Sequence, residues 1–187
     1  VPTPPAERDA TAQPDATAEP DPTAGSAVRT EALKKASMAW IAVDDGPAYA
    51  AWCVPIDGAL YVLTGPGEQS VPGLADAGSA VVTLRGDHGG RIVSWPAEVS
   101  RLSPSDEAWS AVAPQVAAKR LNSPEPAPRV VQRWADECTL SRLTPAAAAP
   151  AAGAALPAGS LAAAVRETPA TRRTWRPFRL HRVRRQR

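Results

Sequence analysis

A chain of 187 residues with 21 Lys and Arg against 19 Asp and Glu, 44% hydrophobic and 5% aromatic, is long enough for one ordinary domain and too short for two large ones. Its two cysteines, Cys53 and Cys138, and two histidines, His88 and His181, exclude a zinc ribbon, a disulfide-dense scaffold and a His-rich metal cage. The net charge of +2 is unevenly spread: residues 1–27 hold one Arg against five acids, residues 28–144 hold 11 basic against 13 acidic groups, and residues 145–187 hold nine Arg against Glu167 alone.

Residues 1–27 are a Pro/Ala/Thr/Asp mixture without the basic opening or apolar core of a secretory signal, so a disordered leader and a cytoplasmic location are expected. The folded domain is expected over 28–144, which holds five of the six Trp and both Tyr. It opens with a short helix in VRTEALKKAS, Leu33 and Ala36 sharing one face. The period then changes to two: a strand over 38–44 turns at Asp45-Gly46-Pro47 into a strand over 48–56, which turns at Asp57-Gly58 into a strand over 59–64. Asp-Gly pairs between apolar runs are strong hairpin signals.

The loop Gly65-Pro66-Gly67-Glu68-Gln69 leads to a short helical turn over Ser70 to Ala77 and a strand over 79–85. Across Gly86-Asp87-His88-Gly89-Gly90 this strand meets another over 91–102, in which Val93, Trp95, Ala97 and Val99 share one face and Ser94, Glu98 and Ser100 the other, the alternation of a sheet buried on one side. Pro96 there requires an edge or a bulge. A helix follows, with Ser105 as N-cap, Asp106 and Glu107 in its first turn, Lys119 and Arg120 in its last and Asn122 beyond it; Pro114 is expected to kink or divide it. A further helix over 129–137 and a closing strand over 138–143 complete six strands and about three helices, which suggest a small antiparallel barrel. Residues 145–165 read as a flexible Ala/Pro linker, because Pro145, Pro150, Pro157 and Gly153 break any spanning helix. The Arg-rich end of 145–187 then offers contact with nucleic acid or another anionic surface.

The hairpin from Gly46-Pro47 into Trp52, the strand Asp57-Gly58-x-Leu60-Tyr61-Val62-Leu63-Thr64, Leu74, and the strand Ala80-Val81-Val82-Thr83-Leu84 resemble the FMN-binding split-barrel proteins of the pyridoxamine 5'-phosphate oxidase-like group. The Gly65–Gln69 loop with Gly73-Leu74, and Lys119-Arg120-Leu121-Asn122 with Arg133-Trp134-Ala135, resemble a small actinobacterial branch of it. The resemblance covers about 105 residues, from 38 to 143, and implies a mainly β, six-stranded antiparallel split barrel. It further implies a homodimer with a flavin-sized groove at its interface, and FMN or a deazaflavin as cofactor of an oxidoreductase of unknown substrate. Relatives often carry Lys-x-x-Asn-Leu in the short helix after the third strand; here Ser70-Val71-Pro72-Gly73-Leu74 stands in its place.

With Ser70 at the basic position, phosphate contacts are expected from Arg120, assisted by Lys119 and Asn122, because Arg meets oxyanions bidentately and Asn offers both donor and acceptor. Backbone amides around Gly65, Gly67, Gln69 and Ser70 are expected to face the same anion. Arg85 is a second phosphate candidate, and Trp95, where relatives have glycine, is a candidate to stack on a flavin. Each has a plainer reading: Gly65 and Gly67 as turn residues with Glu68 and Gln69 capping or facing solvent, Lys119, Arg120 and Asn122 as helix-termination chemistry, and Trp95 as core. The alternative function is a cofactor-free dimeric binding module.

Overall fold

The computed structural model describes residues 22–121, 123 and 125–165, and residues 22–27 of the expected 1–27 leader fall within a helix; residues 1–21, Asn122, Pro124 and 166–187 lie outside the described residues. Eight strands, β1 (Met38–Ala42), β2 (Tyr49–Trp52), β3 (Val54–Ile56), β4 (Ala59–Thr64), β5 (Ser79–Arg85), β6 (Arg91–Leu102), β7 (Thr139–Pro145) and β8 (Ala151–Ala152), form a curled antiparallel sheet. The order is β2-β1-β5-β6-β7-β4-β3, with β8 on β6. The ends of this path, β2 and β3, are consecutive in the chain and separated only by Cys53. The strand expected over 48–56 therefore bends, pairing with β1 before Cys53 and with β4 after it, and brings the sheet round on itself. The result is the mainly β, antiparallel split barrel that the sequence implies, but with eight strands rather than six, because the strand over 48–56 is divided at Cys53 and β8 is added; three helices accompany it, α1 (Pro22–Lys34), α2 (Glu107–Lys119) and α3 (Ala127–Glu137).

Local chemistry explains most of the boundaries. Asp57 and Gly58 have φ of 48° and 77° and join Ile56 to its partner Ala59, the two-residue type I′ geometry whose twist matches the strands. Pro96 lies in a central strand, yet its carbonyl accepts from Ala146 N at 3.0 Å, just past the end of the β6–β7 ladder at Ala97↔Pro145 and before β8 pairs with Ser94 and Val93. The nitrogen of Pro96 faces the same side, beyond the last β6–β7 ladder pair, and supplies no donor there. Three expectations need correcting. The α2 N-cap is Asp106, not Ser105, because Asp106 Oδ2 accepts from Ser103 N at 2.8 Å and its carbonyl already accepts from Trp109 and Ser110. Pro114 sits inside α2 without dividing it. Residues 70–77 form successive tight turns rather than a helix.

Two cores lie on opposite faces of the sheet. Inside the barrel, Ile41, Leu60, Val62, Leu74, Val82, Val93 and Trp95 pack together with Leu33 of α1. Outside, α2 and α3 lay Trp109, Val112, Val116, Val130 and Trp134 against Tyr61, Leu63 and Leu140. β4 lies between the two, so all six of its residues are buried. After β7, residues 151–162, expected to be a linker, run as a strap: Ala152 and Ala151 pair with Val93 and Ser94, and Ala48 N donates to Leu161 O at 2.7 Å while Ala163 N donates to Ala48 O at 2.8 Å. Leu161 has a φ of 54°, an unfavourable conformation for a branched side chain that these two bonds flank.

The division into two cores predicts that Leu60→Ala, inside the barrel, and Leu63→Ala, under the helices, each lose about 2–5 kcal/mol of stability. Val81→Ala on the outward face of β5 should change stability by less than about 0.5 kcal/mol. Urea denaturation midpoints check this, and a silent Leu63→Ala would show that the helices do not form a second core.

Candidate functional site

Two places gather the chemistry-bearing residues. The first is the loop after β4. Gly65 has a φ of 146°, and a Cβ there would come within 2.9 Å of Cys138; Gly67 has a φ of 73°. Both glycines are needed for the turn. Their effect is to drive Glu68 inward, where its carboxylate accepts from Arg133 Nη2 at 2.7 Å, Trp134 Nε1 at 3.0 Å and Arg120 Nε at 3.1 Å. Gln69 mimics a strand, accepting from Trp52 N and donating to Trp52 O, both at 2.6 Å.

Glu68 and Gln69 are thus neither caps nor solvated. Arg120 and the loop do come together, as expected, but Arg120 meets a carboxylate of its own chain. The adjoining cavity, between Trp52, Gln69, Arg120 and Leu121, measures about 220 Å³, below the roughly 300–1,000 Å³ of ordinary ligand pockets. Ser70 is exposed, and Lys119 faces a different groove. Burial pushes the Glu68 carboxyl upward, but the hydrogen bonds from Arg120, Arg133 and Trp134 outweigh it and hold the group below the usual carboxylate range. Cys53 is buried, which pushes its thiol up to about 12; burial also raises Cys138, so neither thiol is an activated nucleophile.

The second place is the outward face of β1, β5 and β6, which no helix among the described residues covers. Because Ile41, Val82, Leu84, Val93 and Trp95 point into the barrel, Trp40, Val81, Thr83, Arg85 and Ser94 point out. Together with the loop over 44–48 and the strap at Pro157 and Ser160–Ala162 they line a groove of about 540 Å³. The Arg85 guanidinium lies 4.7 Å from the centre of the Trp40 ring, a cation–π distance, and Nη2 donates to Ser160 O at 3.1 Å. Its Nε is buried with no acceptor among the described residues. Arg91 stands opposite Arg85 in the ladder, and the Thr83 and Ser94 hydroxyls are 2.9 Å apart. Trp95 lies on the other side of the sheet, 2% exposed, and does not reach this groove. Of the residues singled out from sequence only Arg85 belongs here; Trp40, Thr83, Arg91 and Ser94 were discoverable from the outward half of the period-two pattern.

If Glu68 holds the loop and both helices together, Glu68→Gln should cost about 2–3 kcal/mol, less than the roughly 3–5 of a fully buried pair because both guanidiniums retain contact with water. A carboxyl depressed in the folded state contributes stability that is present above the ordinary carboxylate range and is lost as pH falls through the depressed value. The gap between wild type and Glu68→Gln should therefore narrow on acidification; a gap independent of pH down to strongly acidic conditions would contradict this.

No protein-family profile matches the sequence, and no curated protein is similar to it. Among solved structures the chain is similar to HutZ, the heme storage protein of Vibrio cholerae, at 14% identity and a TM-score of 0.48 over 66% of this chain and 93% of that one. It is also similar to a candidate pyridoxamine 5'-phosphate oxidase of Listeria innocua, at 12% identity and a TM-score of 0.43 over 62% and 89%, and to an FAD-binding protein of Mesorhizobium loti, at 16% identity and a TM-score of 0.37 over 63% and 86%.

Proposed function

We propose that the outward groove binds an anionic planar cofactor of flavin type, FMN or a deazaflavin, in a protein of the pyridoxamine 5'-phosphate oxidase-like group. The observation that carries this reading is Arg85: an arginine stacked on an indole, its Nε without an acceptor, in a groove of cofactor size. The residues fit the group. Arg85 and Arg91 supply cations for a phosphate, Thr83 and Ser94 supply hydroxyls, and Trp40 and Val81 offer apolar surface to a ring. The anion belongs at the Arg85 end, since Asp44 and Asp45 line the other end of the groove. A bound flavin would supply hydride chemistry, the protein position and electrostatics. Arg120 is a weaker candidate than it is from sequence because Glu68 already engages it.

The same face favours homodimerisation, because Val81 and Ile92 stand 41% and 38% exposed on strands that lack a helical cover. This observation equally supports the second reading, a cofactor-free dimeric module. Among the described residues no helix is long and apolar enough to cross a membrane.

Titration of the full chain with FMN, followed by Trp fluorescence, tests the first reading. Arg85→Ala should lose about one to two decades of affinity, the worth of one hydrogen bond to a charged group, whereas Arg120→Ala should bind as wild type does. Loss at Arg120 alone would move the anion to the β4–β5 loop. Absence of quenching by FMN and by a deazaflavin would leave the cofactor-free module, which requires a dimer in sedimentation.

A further inference from the structure

A second groove of about 540 Å³ lies between the C-terminal ends of α1 and α2 and the bend at Cys53. The chain has 18 Arg but only three Lys, and all three, Lys34, Lys35 and Lys119, line this groove. Lys34 ends α1, Lys35 follows it, and Lys119, 84 residues beyond Lys35, ends α2. No Asp or Glu is among the lining residues. Lys34 reaches Glu31 at 2.6 Å, but Lys35 and Lys119 have no carboxylate within ion-pair distance among the described residues.

Between the cations the surface is apolar. Trp52 forms part of it, its backbone N–H and carbonyl held by the paired bonds from Gln69; Met38 and Leu121 stand 42% and 79% exposed. Placing cations at helix C-termini is ordinary dipole chemistry. That alone does not account for an indole and two solvated apolar side chains sharing the space. Lysine is a compact point charge on a flexible stem, suited to a single carboxylate or sulfonate head, whereas arginine's fork is matched to bidentate anions.

We propose that this groove is a binding site for a small anionic amphiphile, a carboxylate or sulfonate on an aromatic or hydrocarbon body. Lys35 and Lys119 meet the head, and Trp52, Met38 and Leu121 cover the body. The site is separate from the Arg85 groove and does not depend on flavin binding there.

The probe is 1-anilinonaphthalene-8-sulfonate, compared with its uncharged relative N-phenyl-1-naphthylamine, titrated into the full chain by fluorescence. The double variant Lys35→Met, Lys119→Met removes charge while keeping the stems. It should weaken the sulfonate at least tenfold and change the neutral probe less than twofold. Leu121→Ser should weaken both, and Arg85→Ala neither. Equal sulfonate binding by wild type and the double variant, no binding by wild type, or loss through Arg85→Ala alone would each overturn the proposal.

Discussion

A single carboxylate ties together parts of the chain that the barrel does not join. Glu68 takes donors from the C-cap of α2 and from two successive residues of α3, while the neighbouring Gln69 fastens the loop to the β2 end of the bent strand. Desolvating a charge is costly, and ion pairs at such depth seldom add much net stability over an apolar substitute. What this one contributes is placement: it fixes where α2 and α3 sit over β4 and β7, and hence which outer face of the sheet is covered. Gly65 and Gly67 serve the same end, since a side chain at Gly65 would strike Cys138 and prevent the loop from turning inward.

That asymmetry separates a filled outer surface from an open one. The face under the helices is filled by indoles and aliphatic side chains with little polar content. The opposite face carries Arg85, Arg91, Thr83 and Ser94 beside Trp40, and is bounded by the loop over 44–48 and a backbone-bonded strap. Chemistry can collect there because no helix fills the space, and the strands beneath are held from the inside by the barrel core.

What was legible in the sequence was local. The Asp57-Gly58 turn, the alternation in β6 and the helix over 107–119 follow from neighbours a few residues apart, so their physics is visible in a short window. The partners of Glu68 lie 52, 65 and 66 residues away, and no periodicity links them; an acid in a Gly/Pro loop therefore reads as solvated, and Arg120 as open to an external anion. Trp95 is a stacking candidate by residue type, while its alternation with Val93 and Ala97 already points to the buried face on which it lies. The strap was hidden for another reason: its hold comes from backbone groups of Ala48, Leu161 and Ala163, which any composition supplies, and an Ala/Pro stretch looks like a linker whether or not its amides are paired.

The position of β8 bears on how the molecule meets its own kind. β6 is twelve residues long, and β7 pairs with it only from Ala97 to Leu102, so its first half would present unpaired amides and carbonyls, a template on which another chain could add a strand. Pro96 offers no donor there, and Ala151 and Ala152 occupy the places opposite Ser94 and Val93. Two small residues and a proline thus blunt this stretch of β6 against the addition of a further strand.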